Sequence, residues 1–250
     1  MRFLRRALSV PALAEFPVRV RSGVAEGAKW SLYPYSAYWR GTHEPEFQRR
    51  ISTLWDWTGK HVWDLGAHYG LFSVGLARRV GPTGRVAAFE PNPVSYARLQ
   101  LHLRRNHLRN LHAFPFAVGE TPAILPLLVY DGLESTTTHL PYENETIHAG
   151  IPRVDVPVVR LDDLVAAGAI PAPDFIKMDV EGHGHRALRG AAETLRRHRP
   201  VIACGLHGPE ETEGIANLLR PLGYRPESVS GQTSEPLHPS GDYLWFPRSA

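Results

Sequence analysis

The stretch that decides the fold is Val62-Trp63-Asp64-Leu65-Gly66-Ala67-His68-Tyr69-Gly70, an apolar run that ends in a turn with two glycines. A helical pattern follows over residues 71–77, and a second apolar run, Arg85-Val86-Ala87-Ala88-Phe89, ends at Glu90. Strand, glycine turn, helix, strand and acid are typical of the nucleotide-binding half of a doubly wound sheet. The stretch therefore predicts a ligand site where two neighbouring parallel strands end.

Strand and helix patterns alternate along the rest of the chain, which is typical of an α/β fold with a mostly parallel sheet. The last two strand patterns, near residues 224–229 and 243–246, have no helix between them and predict an antiparallel pair at one edge. Pro157 predicts an edge position for the strand at 154–159, because proline has no N–H to donate. The other strands that we predict here cover residues 111–118, 122–130, 174–178 and 201–206.

Asp64 distinguishes this site from a dinucleotide site. It stands at the position where the Gly-x-Gly-x-x-Gly pattern of dinucleotide sites has its first glycine. A carboxylate would repel a pyrophosphate but attract an ammonium group, either directly or through water. S-adenosylmethionine carries an adenosine and a cationic amino acid and no phosphate, so the pattern favours this cofactor over a nicotinamide. Glu90 would accept hydrogen bonds from the two ribose hydroxyls.

Motifs along the chain extend this pattern: Val62–Gly70, Ala88-Phe89-Glu90-Pro91-Asn92-Pro93, Ala117-Val118-Gly119, Leu161-Asp162-Asp163-Leu164, Asp174-Phe175-Ile176-Lys177-Met178-Asp179-Val180-Glu181-Gly182 and Leu188-Arg189-Gly190-Ala191. In order and spacing the sequence resembles the FkbM family of S-adenosylmethionine-dependent methyltransferases over about residues 60–208. The resemblance implies a Rossmann-like, seven-stranded class I methyltransferase fold. It also implies methylation of an oxygen atom, commonly on a sugar, a lipid or a secondary metabolite.

The resemblance also implies roles for particular residues. Asp64, Gly66 and Gly70 would surround the methionine end of the cofactor, Glu90 would hold the ribose, and Ala117 would border the adenine. The full set of predicted cofactor-binding residues is Asp64, Gly66, Ala67, Gly70, Glu90, Asn92 and Ala117.

The predicted catalytic residues are Asp179, Glu181 and His207. Asp179 and His207 end successive predicted strands, so they should emerge side by side if those strands are neighbours. Either could remove the proton of an acceptor hydroxyl. Two alternatives stay open: His207 caps its strand while the acids only orient the backbone, or Glu181 pairs with Lys177 across the turn.

The chain departs from the family pattern at two glycines. Relatives usually carry glutamate where this chain has Gly184, two residues after the Glu-Gly pair, and commonly where it has Gly205, two residues before the strand-end histidine. The absence of these two glutamates leaves three explanations open. The glutamates form a network that is dispensable as a pair, the substrate pocket has changed, or methyl transfer has been lost. A cofactor-binding, methyltransferase-like protein without catalysis is therefore the alternative function.

The length of 250 residues fits one domain with a lead-in, which we predict as residues 1–58 packed on a methyltransferase domain of residues 59–250. The lead-in has a dense aromatic loop, residues 33–41, which either covers the site with the long polar loop 131–152 or pins the lead-in to the domain. Residues 1–16 and 44–57 have helical patterns.

Composition bounds the partners and the location. The formal net charge of +3 is small, so we expect no nucleic-acid partner and instead a small-molecule or glycan hydroxyl acceptor. No apolar run is long enough to span a membrane, and the one cysteine, Cys204, suits a reducing cytoplasm. His183 and His185 lack fixed spacing to further ligands, so the sequence predicts no metal site.

Overall fold

The structure is a computed structural model of the chain, and it describes residues 16–32, 37–130, 138–142, 150–231 and 236–248. Its strands are β1 (Pro17–Arg19), β2 (Lys29–Ser31), β3 (His61–Leu65), β4 (Arg85–Phe89), β5 (Leu111–Phe114), β6 (Ala117–Val118), β7 (Ala123–Leu128), β8 (Arg153–Val159), β9 (Phe175–Met178), β10 (Val201–Gly205), β11 (Tyr224–Ser228) and β12 (Asp242–Pro247). Its helices are α1 (Ala37–Arg40), α2 (Pro45–Ser52), α3 (Leu71–Val80), α4 (Pro93–Arg105), α5 (Leu161–Ala166), α6 (Gly184–Arg189), α7 (Ala192–His198) and α8 (Pro209–Leu219).

Seven of the described strands form one central sheet in the order β11-β12-β10-β9-β3-β4-β5. The strands from β10 to β5 are parallel to their neighbours, whereas β12 is antiparallel to both β10 and β11. The mostly parallel α/β sheet with an antiparallel edge is therefore confirmed. The chain runs from β3 to β4 on one side and places β9 on the other, so β3 marks the switch point where such sheets bind ligands.

The central strands bury both faces of the sheet, as parallel strands with helices on each side do. On one face, Val62 and Phe175 belong to a core that also contains α3 and the lead-in. On the other face, Trp63 and Ile176 belong to a core that contains α6, α7 and α8. Near-continuous apolar runs in β3, β4 and β9 follow from this double burial.

The described part of the lead-in packs on the first of these cores. β1 and β2 form an antiparallel pair, and Val24, Trp30, Phe47 and Ile51 are buried with Phe72 of α3. The Val24 N–H donates to Gln48 Oε1 at 2.9 Å, which ties the hairpin to α2. The division at residue 58 stays a prediction.

Two expectations for the lead-in are wrong in detail. The helix expected at 44–57 is α2, which ends at Ser52 because the Ser52 and Thr53 hydroxyls donate to the carbonyls of Gln48 and Arg49 and compete with the helical pattern. Part of the expected aromatic loop is the short helix α1, while residues 33–36 and the helix expected at 1–16 lie outside the described residues, apart from Phe16.

A second, three-stranded sheet in the order β6-β8-β7 corrects two predictions. The strand expected at 111–118 is divided, since β5 ends at Phe114 in the central sheet and β6 joins the small sheet. β8 is central in the small sheet although Pro157 had indicated an edge. β6 pairs only with Val158 and Val159, so at Pro157 the strand has its pairing partner in β7 alone.

No helix in the described part of the chain is both long enough and apolar enough to cross a membrane.

Candidate active site

A cavity of about 220 Å³ opens where the parallel strands of the central sheet end, beside the switch point at β3. Of the ten residues predicted for cofactor binding and catalysis, its lining includes Gly66, Ala67, Glu90, Ala117, Asp179, Glu181 and His207. Asp64, Gly70 and Asn92 do not line it. The structure thus brings the two predicted groups to one cavity and places three residues behind its wall.

Glu90 is the acid at the β4 end of the cavity, and it is only 6% exposed. Its carboxylate accepts hydrogen bonds from the backbone N–H groups of His68 (2.6 Å) and Asn92 (2.8 Å). Burial raises the pKa of Glu90 to about 7, against the lowering effect of those two hydrogen bonds. Glu90 therefore changes charge near neutral pH.

Asn92 lies behind Glu90 as the N-cap of α4. Its Oδ1 accepts from the backbone N–H of Val94 at 2.9 Å and of Ser95 at 3.4 Å, which satisfies two donors that the helix leaves unpaired. This hydrogen bonding fixes the chain just after Glu90. Asn92 thus contributes to the position of Glu90 and does not contact the cavity.

The turn after β3 requires glycine at Gly66, which has φ +78°. A Cβ there would lie 1.9 Å from the backbone oxygen of Asp179, so this turn and the turn after β9 are in direct contact. The N–H groups of Gly66 and Ala67 donate to the Phe89 carbonyl at 3.0 Å each. Gly70 has φ +85°, and its Cβ position faces Leu99 of α4, away from the cavity.

Asp64 does not line the cavity, and its interaction with the cofactor's ammonium group, directly or through water, stays a prediction. It is fully buried, accepts a hydrogen bond from the Ser73 hydroxyl, and lies 3.9 Å from Lys177 Nζ. Burial raises the pKa of Asp64, with the Lys177 charge opposing it. Asp64 is thus a buried counter-charge for Lys177, which lines the cavity while Asp64 does not.

Lys177 is a cavity residue that the sequence analysis named only as a partner of Glu181. Its Nζ lies 3.5 Å from Asp179 Oδ2 and 5.1 Å from the Phe72 ring centroid. Burial lowers its pKa, but the charges of Asp179, Asp64 and Glu44 outweigh burial, so the pKa is raised. Lys177 pairs with Asp179 and Asp64, and the alternative pairing with Glu181 is wrong. A lone lysine inside an apolar strand was the signal for it.

Asp179, Glu181 and His207 meet at the far end of the cavity because β9 and β10 are parallel neighbours. His207 Nε2 lies 3.3 Å from Asp179 Oδ1 and 3.6 Å from Glu181 Oε2. Burial lowers the pKa of His207, but the carboxylates of Glu211, Asp179 and Glu181 outweigh it and raise the pKa to about 9. At neutral pH His207 is therefore an imidazolium among carboxylates.

The pKa values of the two acids in this cluster, Asp179 and Glu181, are shifted in opposite directions. Burial raises the pKa of Asp179, but the charges of Lys177 and His207 outweigh burial, so its pKa lies below the usual range. For Glu181, burial prevails over the charge of His207 and the pKa is raised. Asp179 is thus the stable anion of the pair.

One ligand atom each of Asp179, Glu181 and His207 lies within 4.8 Å of the others, so the three groups could also hold a metal ion. Such an ion would have to displace the proton of His207. Because His207 and Lys177 already lie beside the carboxylates as cations, the cluster has counter-charges of its own.

Three of the five non-glycine residues that have a positive φ in the described part of the chain lie at the cavity. Glu44, His68 and Glu181 have φ values of 44°, 48° and 50°, and all three line it. Non-glycine residues in this region cost of order 1–3 kcal/mol each and persist where the surroundings hold them. The strain marks these turns as parts of the site.

Sequence reasoning missed Asp242, which lines the cavity as the first residue of β12. Because β12 is antiparallel, its start lies at the edge where the parallel strands end. Asp242 Oδ1 is 3.3 Å from the Cβ position of Gly205. Burial, supported by the charges of Glu44 and Asp179, raises the pKa of Asp242 to about 6.

The aromatic lead-in and the long loop both reach the cavity. Tyr38 lines the cavity, and the Tyr38 hydroxyl is 2.9 Å from His68 Nδ1. Trp39 packs on the core that contains α3 and the lead-in. From the loop, Thr138, His139 and Leu140 line the cavity, and residues 131–137 and 143–149 lie outside the described part of the chain.

The sheet order and the position of the cavity define a class I methyltransferase fold. The solved structure of the methyltransferase FkbM from Methylobacillus flagellatus KT has a similar fold, with a TM-score of 0.50 and 23% identity over 75% of this chain and 43% of that chain. A family model described as the Methyltransferase FkbM domain matches residues 64–226. The chain belongs to the FkbM methyltransferase family.

Two curated relatives are each 28% identical to this chain. One is the hexuronic acid methyltransferase AglP of Haloferax volcanii, with 63% of this chain and 60% of that protein covered. The other is the 31-O-demethyl-FK506 methyltransferase FkbM of Streptomyces tacrolimicus, with 66% and 73% covered. The matched part is thus less than two thirds of the length of AglP.

Proposed function

We propose that this protein is an S-adenosylmethionine-dependent O-methyltransferase acting on a hydroxyl of a small molecule, sugar or secondary metabolite. The observation that carries the proposal is one cavity that contains the buried Glu90 at one end and the Asp179–Glu181–His207 cluster at the other. The names of the relatives AglP and FkbM, one specifying a hexuronic acid and the other 31-O-demethyl-FK506, support a small-molecule or sugar acceptor.

The residues present fit the cofactor. Glu90 would hold the ribose, and Gly66 and Ala67 leave backbone space beside it, with Ala117 bordering the base. His68 Nε2 is buried and has no hydrogen-bond partner among the described residues, so a polar group in the cavity would supply one. Burial lowers the pKa of His68 to about 4, so its ring is neutral.

The bound cofactor would supply an electrophilic methyl group on a sulfonium. His207 must lose its own proton before it can accept one from an acceptor hydroxyl. The positive charge of the sulfonium would lower the pKa of His207, because like charges repel. Asp179 would hold His207 in place while Lys177 keeps Asp179 ionised. The chain's own groups thus provide the base, and the proposal includes no metal.

The same proposal places the protein in the cytoplasm, where the buried free thiol of Cys204 stays reduced. It includes a small-molecule or glycan acceptor as the partner and no nucleic acid.

Calorimetry with S-adenosylmethionine, followed by transfer from methyl-labelled cofactor to a panel of hydroxylated acceptors in the presence of EDTA, tests the proposal. We expect binding in the range of roughly 1 μM to 1 mM and label in an acceptor hydroxyl. Absence of binding at about 1 mM would contradict the cofactor assignment. Transfer that requires an added divalent cation would contradict the metal-free mechanism.

The alternative function, a cofactor-binding protein without catalysis, predicts binding and no label in any acceptor. Gly184 and Gly205 motivated it. The carboxylates of Glu211 and Asp242 lie at the Cβ positions of these two glycines, so acids are present there from other elements. This contact favours the catalytic function.

A further inference from the structure

Glu211 is a buried carboxylate that takes no part in the proposed proton transfer and does not line the cavity. It lies in the first turn of α8, only 2% exposed, and belongs to neither predicted set. A buried carboxylate is costly unless hydrogen bonds compensate it. Its partners therefore indicate what it does.

Glu211 joins the two turns that carry the predicted catalytic residues. Its Oε1 accepts from the backbone N–H of Gly184 at 2.7 Å, and its Oε2 accepts from the backbone N–H of His207 at 2.7 Å. The same Oε2 lies 3.6 Å from His207 Nδ1. One carboxylate thus holds the start of α6 and the end of β10 by hydrogen bonds and lies at ion-pair distance from the ring of His207.

The glycines of this region make room for that carboxylate. A Cβ at Gly184 would lie 2.6 Å from Glu211 Oε1, so a side chain at residue 184 and the observed carboxylate exclude each other. One turn further along α8, the Cβ position of Gly214 is 2.7 Å from His185 Cβ, so α8 and α6 are close enough for Glu211 to reach across.

We propose that Glu211 is a positioning residue of the methyl-transfer site, which fixes the ring of His207 with Nε2 toward Asp179 and Glu181. Nδ1 faces Glu211, so Nε2 on the opposite side of the ring faces the other two acids. The assignment rests on the proposed function. Glu211 Oε1 also lies 2.6 Å from the Cβ position of Gly184, where the family resemblance implies a glutamate.

The test uses the full-length variant Glu211→Gln, which keeps the size of the side chain and removes its charge and one of its two acceptors. The control is Glu213→Gln, the same change at an exposed position of the same helix. The readouts are the NMR titration of the His207 ring in the cofactor-free protein, cofactor affinity by calorimetry, and kcat and KM as functions of pH.

We expect Glu211→Gln to lower the His207 pKa from about 9 toward the ordinary 6.5 and to shift the pH–rate profile to lower pH. On the high-pH plateau, where the His207 ring is neutral in both proteins, we also expect it to reduce kcat roughly tenfold or more while the KM for the cofactor stays within about twofold. Glu213→Gln should match the wild type in all readouts. An unchanged His207 titration in folded Glu211→Gln would overturn the proposal.

If Glu211→Gln fails to fold, Gly184→Ala decides, because its Cβ displaces the carboxylate without removing the charge. A smaller fall in the His207 pKa, in the same direction, is expected because the charge stays nearby, and an unmoved titration would again overturn the proposal. The titration requires neither cofactor nor turnover, so absence of transfer in the wild type contradicts the proposed function and leaves the test of Glu211 intact.

Discussion

Among single residues, Glu90 shows how burial changes the pKa of a carboxyl group in the predicted cofactor site. Its pKa of about 7 is above the ordinary 4.5, because burial penalises the anion more than two backbone hydrogen bonds stabilise it. The folded, empty protein therefore holds the Glu90 proton more tightly than the unfolded chain. This contribution to stability is fully present below pH 4.5 and is lost as the pH rises through 7.

Glu90→Gln is expected to weaken S-adenosylmethionine binding at pH 8 by roughly 1.5–3 kcal/mol, because the ribose would lose charge-assisted hydrogen bonds. Ribose hydroxyls stabilise the ionised form, so wild-type affinity should also rise from pH 6 to pH 8, while that of the variant should not. Calorimetry at both pH values measures this, with the exposed Glu120→Gln as control. Equal affinities of wild type and Glu90→Gln would remove Glu90 from the cofactor site.

At the scale of elements, the site depends on the contact between the turns after β3 and β9. Gly66 has a left-handed φ, and its Cβ position would overlap the backbone oxygen of Asp179. A backbone atom cannot move aside as the end of a side chain can. The contact therefore fixes the cofactor turn against the turn that carries Asp179 and Glu181.

Gly66→Ala is expected to destabilise the protein by roughly 2–5 kcal/mol, since it combines backbone strain with a backbone clash. Gly168→Ala is the matched control, because Gly168 has φ +68° and nothing lies within 4 Å of its Cβ position. That variant should lose only the strain energy, about 1–2 kcal/mol. Urea unfolding measures both, and equal losses would show that the contact between the turns contributes nothing.

For the whole molecule, the lead-in and the sheet share one core. Trp30 is 1% exposed and stacks on His102 of α4 with ring centroids 3.6 Å apart. The Cβ position of Gly75 in α3 lies 2.6 Å from the Val24 carbonyl oxygen, so helix and lead-in backbones touch. Such contacts make separate unfolding of residues 16–58 costly.

We therefore expect a single unfolding transition in scanning calorimetry, with equal calorimetric and van't Hoff enthalpies. Trp30→Ala should lower the free energy of unfolding by about 3–5 kcal/mol without splitting the transition, because it leaves a cavity in the shared core. Phe16→Ala, at a side chain 60% exposed, should change it by about 0.5 kcal/mol or less. A separate low-temperature transition that only Trp30→Ala moves would contradict a shared core.

Much of this architecture is encoded locally. The apolar run up to Leu65, the turn at Gly66 and the acid after β4 are neighbours in sequence, so their spacing alone predicted the strands and the position of Glu90. Asp179 and His207 were predicted to meet because both follow strand patterns, and parallel strands end at one edge of a sheet.

What the sequence determined by itself was the α/β class, the central strands and the acids at their ends, since each depends on periodicity within a few residues. Only the tertiary structure decided which of these acids face the cavity. It buried Asp64 against Lys177, and it brought Asp242 and Glu211 to the site from an antiparallel strand and a later helix. Those positions depend on packing between segments distant in the chain, which no local pattern records.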